Sequence, residues 1–78
     1  MMKLSEVPAG TTVRIQLLSS RPDLSLRLRE LGFCEDQPLR MISSRRGRVI
    51  CEILNTRIGI DGPLAGEILV TGHEQQLP

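Results

Sequence analysis

The 78-residue sequence holds one aromatic residue, Phe33, one lysine, Lys3, one histidine, His73, and two cysteines, Cys34 and Cys51. Each scarcity removes a class of function. A single ring cannot line a groove for proline-rich peptides or build a stacking platform for single-stranded bases. The lysine lies far from any GxxxxGK[ST] pattern, so no phosphate-cradling loop is present. With His73 near the C-terminal end, neither thiol has an imidazole close in sequence to activate it. Two cysteines are too few for a disulfide framework or a zinc site and are expected to be buried thiols. The adjacent acids Glu35 and Asp36 fall in a turn, where neighbouring side chains diverge instead of forming an acid–base pair. No apolar run approaches the roughly 18 residues of a membrane span, and MMKLSEVPAG lacks the apolar core of a signal peptide. The expectation is a cytoplasmic protein that is not an enzyme, with no cofactor and no metal-ligand set.

What is present describes a small globular domain, with 40 % hydrophobic and 24 % charged residues and a formal charge of +1. A chain of this length buries only about 60–65 % of its unfolded surface. One domain over residues 1–72, with 73–78 as a flexible tail, is expected. The small net charge hides a gradient: Arg40, Arg45, Arg46, Arg48 and Arg57 crowd a central segment, whereas residues 58–78 carry acids and no Lys or Arg. Such asymmetry orients a protein against a charged partner more than it creates general affinity for nucleic acid.

LSEVPAG reads as an opening turn. Val13, Ile15 and Leu17 then alternate with polar residues, the period of a half-buried strand over Thr12–Leu18. Asp23 is a candidate helix N-cap. Leu24, Leu28 and Leu31 form one helical stripe, with Leu26 off it and Arg27 and Glu30 toward water. Gly32 suits the left-handed position that ends a helix, and Phe33 the apolar contact that accompanies it. Strands are expected at Leu39–Ser43, Val49–Leu54 and Arg57–Ile60, joined by turns at Gly47 and at Asn55-Thr56. DGPLAG is a further turn with Leu64 and Ala65 inward, and Ile68–Val70 closes the sheet. The fold class is therefore mainly β with one short α-helix, a small, partly open barrel of about five strands.

These segments resemble the FeoA family of small cytosolic SH3-like proteins, associated with the bacterial ferrous-iron transporter FeoB. The resemblance covers about residues 4–70 and is carried by LSEVPAG with TVRIQLL, by RLRELGF, by LRMI and VICEIL, and by RIGIDGPLAGEILV. Glu35-Asp36 stands where the family commonly has a glycine, and Asp36 tolerates φ > 0 better than a branched residue. Asp61 stands where a basic residue is expected. The resemblance implies an SH3-like fold and an accessory role in ferrous-iron uptake. The partner it implies is the cytosolic GTP-binding part of the FeoB transporter. The residues themselves lead us to expect no nucleic acid and no direct membrane insertion, and an exposed edge strand on so thin a core could pair two copies weakly. The residues expected to meet that partner are Leu26, Arg27 and Arg29 on the helix and Arg45, Arg46 and Arg48 on the hairpin. Arginine suits such a surface because its planar fork pairs bidentately with carboxylates. The alternative is a small nucleic-acid-binding or metal-dependent regulatory module of the same SH3-like kind, using the basic segment 40–57.

Overall fold

The computed structural model describes residues 1–72, and the expected flexible tail 73–78 lies outside them. Six strands form one antiparallel sheet: β1 (Met2–Lys3), β2 (Thr12–Leu17), β3 (Pro38–Arg45), β4 (Arg48–Ile53), β5 (Thr56–Asp61) and β6 (Leu69–Thr71). Their order is β1-β6-β2-β3-β4-β5, so β1 and β5 are the free edges of an open, curled sheet. A 3₁₀ turn covers Leu4–Glu6, and two helices, α1 (Pro22–Leu31) and α2 (Gly62–Ala65), interrupt the strands. The sixth strand, absent from the sequence reading, is β1. Its two residues pair with Leu69 and Val70, a length at which no periodicity can register.

The alternation read from β3, β4 and β5 holds: Leu39, Met41, Val49, Cys51, Ile53 and Ile60 are buried on the concave side. In β2 it holds only halfway. The pairing with β6 shifts between Ile15 and Leu17, and a bulge moves every later side chain by one position. Leu18 therefore enters the core in place of Leu17, which is 39 % exposed. A second shift, between Met41 and Ser43, adds to the curl of the sheet.

Both expected hairpins form, each over a two-residue turn. Arg46 and Gly47 have φ of 54° and 70°, and Leu54 and Asn55 have φ of 50° and 66°. Positive φ at both central residues suits the right-handed twist of the flanking strands. The second turn sits one residue earlier than Asn55-Thr56, because Ile53 pairs directly with Thr56.

Helix α1 begins before Asp23. Pro22 occupies the first turn and Arg21 is the N-cap, without a side-chain cap bond. Proline is favoured there because its missing N–H would have had no helical partner. The helix ends as expected: Gly32 has φ of 114°, Gly32 N–H donates to the Arg29 carbonyl and Phe33 N–H to the Leu28 carbonyl, both at 3.0 Å. This paired arrangement satisfies orphan carbonyls and brings the residue after the glycine back over the last turn. Leu28 and Phe33 are both buried. The stripe itself is narrower than expected, since Leu24 is only half-buried and Leu31 is 43 % exposed.

Asp61 serves α2 as its N-cap, its Oδ1 accepting from Leu64 N–H at 2.8 Å. That role accounts for an acid where a base was expected. Ala65 is buried and Leu64 half-buried. Among the described residues no helix is long and apolar enough to cross a membrane.

Candidate partner-binding surface

The six residues expected to meet a partner fall on two separate surfaces. Leu26 and Arg27 are exposed on α1, Leu26 at 58 %. An exposed leucine between polar neighbours has no packing role in the isolated chain. Arg27 lines a shallow groove of about 270 Å³ together with Arg21, Leu24, Asp61, Pro63, Leu64 and Glu67. Its lining is three apolar residues with two arginines and two acids.

Arg29 is already engaged. Its Nη1 and Nη2 donate to Glu35 Oε1 and Oε2 at 2.6 and 2.8 Å, the bidentate geometry that makes arginine–carboxylate pairs strong. Hydrogen bonding to Arg29, and next to a backbone amide, holds the Glu35 carboxyl below the usual glutamate range. The pair ties the end of α1 to the turn that follows. In that turn Asp36 has the expected positive φ, 69°, and Asp36 N–H donates to the Ile15 carbonyl at 2.7 Å.

Arg45, Arg46 and Arg48 surround the β3–β4 turn, where with Ser43 and Ile50 they line a second depression. All three are exposed. Directly opposed strand residues share a face of the sheet, so the pairs Arg45↔Arg48 and Arg48↔Asp61 put this cluster on the convex side. The turn is anchored to α2, since Gly62 N–H donates to the Gly47 carbonyl at 2.6 Å. A single short helix thus stands between the two surfaces: its cap and first residues line the groove, and its first amide holds the arginine hairpin.

Sequence reasoning missed Asp61, Leu64 and Glu67 as neighbours of Arg27, because they lie more than 30 positions away and carry no shared motif. It also missed Ser19, which is 9 % exposed. Ser19 Oγ donates to Glu67 Oε1 and accepts from Arg21 N–H, each at 3.0 Å. The available signal was a serine two residues before an exposed amide, a common local turn bond. Cys34 is exposed, contrary to expectation, and only Cys51 is buried. Cys34 follows the helix-ending glycine in a connection that runs over the surface. Burial pushes the Cys51 thiol up to about 11, and its Sγ lies 3.7 Å from the Ile58 carbonyl. Among the described residues no group of three or more His, Cys, Asp or Glu side chains is arranged to hold a metal ion.

A family model described as the FeoA domain matches residues 2–72. Three solved structures illustrate the likeness. An iron uptake regulatory protein, FeoA, shares 21 % identity with a TM-score of 0.82, covering 88 % of this chain and 93 % of its own. FeoA from Stenotrophomonas maltophilia, complexed with zinc and described as a prokaryotic SH3 domain protein, shares 26 % identity with a TM-score of 0.75 over 91 % of both chains. A manganese-dependent transcriptional repressor shares 22 % identity with a TM-score of 0.81 over 90 % of this chain, which spans only 40 % of the repressor's length. Among curated proteins no relative matches.

Proposed function

Because this chain belongs to the FeoA family, we propose that it is a non-enzymatic accessory protein of ferrous-iron transport. It binds the cytosolic GTP-binding part of an FeoB-type transporter and works beside the membrane through that partner. The observation that carries this reading is the family match over the whole described domain. The surface chemistry supports it. Leu26 offers an exposed apolar side chain, and burying a leucine in a partner's pocket is worth about 1.5–3 kcal/mol. Arg27 beside it suits a carboxylate at the rim of that pocket, and Arg45, Arg46 and Arg48, on the separate convex face, suit a second acidic patch. Arg29, held by Glu35, stiffens this end of the helix instead of reaching outward.

Titration calorimetry with the cytosolic domain of the transporter, with and without guanine nucleotide, tests the reading. Association at micromolar to tens-of-micromolar concentrations is expected. Leu26→Glu weakens it about tenfold or more, the scale of losing one buried leucine, and leaves the circular dichroism spectrum unchanged. Absence of binding, or equal binding by Leu26→Glu, sinks the proposal. So does an affinity for DNA or RNA whose logarithm falls linearly with the logarithm of salt concentration, which would assign the arginine hairpin to phosphate instead.

A further inference from the structure

Strand β5 is a free edge six residues long. Its sequence Thr56-Arg57-Ile58-Gly59-Ile60-Asp61 has a symmetry that the fold makes usable. Reflected about Gly59, Arg57 exchanges with Asp61 and Ile58 with Ile60. We infer that β5 is a self-complementary edge, through which two copies of this chain pair antiparallel about a two-fold axis at Gly59.

The hydrogen-bonding phase of the edge supports this register. Strands β4 and β5 are joined by a two-residue turn, with Ile53 opposite Thr56. In such a hairpin the pair flanking the turn exchanges backbone bonds, and bonded pairs recur at every second residue. Thr56, Ile58 and Ile60 therefore turn their amides and carbonyls toward β4. Arg57, Gly59 and Asp61 turn theirs outward. All three are exposed, and no strand lies beside β5 on that side. The Asp61 carbonyl, as the N-cap carbonyl, accepts the first bond of α2, which leaves the amides of all three residues and the carbonyls of Arg57 and Gly59 for a second strand. Antiparallel pairing with Gly59 opposite Gly59 matches outward residues only with outward residues: Arg57 with Asp61, Gly59 with Gly59, Asp61 with Arg57. A shift of one residue would set outward groups against inward ones, and a shift of two would leave one outward residue unpaired at the end of the strand.

The side chains agree with the backbone. Edge strands commonly carry charge to block pairing, but here the charges have opposite sign and equal distance from the axis. Each Arg57 then faces an Asp61 directly across the new strand pair, where opposite charges stabilise and like charges oppose. Arg57 forms no ion pair within the described chain. Asp61 spends one carboxylate oxygen on the α2 cap and keeps the other. On the concave side Ile58, half-buried, comes opposite the partner's Ile60. The other edge offers no equivalent, since β1 has two residues.

Sedimentation equilibrium of the full chain from about 10 µM to about 1 mM, a range that spans weak association, should reveal a monomer of 8.7 kDa passing to twice that mass. Hydrogen exchange followed by NMR over the same range should protect the amides of Arg57, Gly59 and Asp61 as concentration rises. Those of Ile58 and Ile60 should be protected throughout. Arg57→Asp places two acids opposite each other and is expected to raise the dissociation constant about tenfold or more. Asp61→Arg places two bases opposite each other, with the same result. Mixing the two variants restores both attractions, so a heterodimer should form where neither variant self-associates. Gly59→Pro removes the central outward amide and should abolish pairing while leaving the β4–β5 bonds intact. A chain that stays monomeric to 1 mM overturns the inference. So does a dimer indifferent to these substitutions, or one whose protection maps elsewhere.

Discussion

Helix α1 and the β3–β4–β5 meander are held in the same core by different means. The meander spreads its burial over three hydrogen-bonded strands, with Leu39 and Met41 in β3, Val49, Cys51 and Ile53 in β4, and Ile60 in β5. The helix carries four leucines, yet only Leu28 is fully buried, and Phe33 joins it from just past the glycine that ends the helix. One region is fastened along its length and the other by a single rivet. An element fastened this way exposes most of its surface. The cost is that its attachment depends on very few side chains.

Four measurements sharpen or break this contrast. The widest separation expected is between the two thiols. Cys34 leaves the helix on an exposed connection, whereas Cys51 lies inside the meander and is raised by burial to about 11. With an aromatic disulfide reagent at neutral pH, Cys34 should react roughly a thousandfold faster or more, because Cys51 must await an opening of the fold that is rarely populated. Comparable rates would mean that the meander is no tighter than the helix connection.

Next in size is removal of the rivet. Phe33→Ala is expected to cost about 3–5 kcal/mol, a large share of the stability of a domain this small, for which roughly 4–12 kcal/mol is typical. A volume-conserving change in the meander, Met41→Leu, should cost less than about 1.5 kcal/mol. Urea denaturation of both variants compares them directly, and equal losses would remove the distinction between riveted and distributed attachment.

Smaller again is the effect at the turn that aims the rivet. Gly32 has φ of +114°, and a Cβ placed there would lie 3.3 Å from Ile58 Cδ1. Gly32→Ala should cost about 1–2 kcal/mol from its positive φ alone, with the isoleucine methyl shifting by a few tenths of an ångström. The urea midpoint reads it.

The least effect belongs to the Arg29–Glu35 lock. The Glu35 carboxyl is held down chiefly by its hydrogen bond to Arg29, so it is more acidic folded than unfolded. The stabilisation is then fully present above the ordinary glutamate value of about 4.3 and is lost as pH falls through the lowered folded value. Glu35→Gln should lower stability slightly at neutral pH, where the stabilisation is present, and flatten the acid limb, so that the two profiles converge at low pH. A wild-type profile without that acid dependence would show that the pair adds no net constraint at the helix end.

Much of the fold was legible because the signals are local. Alternation along Leu39–Met41 and Val49–Ile53 is a property of the strand itself, and Gly32-Phe33 announces a helix end through the backbone freedom of one residue and the apolarity of the next. Asp36 was recognised as a left-handed position for the same reason. The candidate surface was legible only in part. Leu26, Arg27 and the hairpin arginines are exposed as expected, but whether an arginine's fork is free depends on what the fold sets beside it, and Glu35 had taken that of Arg29.

By itself the sequence determined the domain's β character, the position of its helix, the two reversals of its meander and its family. These follow from periodicity and from residues with special backbone preferences, both of which act over a few positions. Only the tertiary structure decided that Leu18 and not Leu17 would enter the core, since a bulge arises from the register of two strands far apart in the chain. It alone decided that Cys34 would be exposed, that Asp61 would cap a helix beside Arg27, and that β5 would be left as an edge with its outward groups in phase with its charges. Exposure is a property of what covers a residue, and the covering elements are brought there by folding.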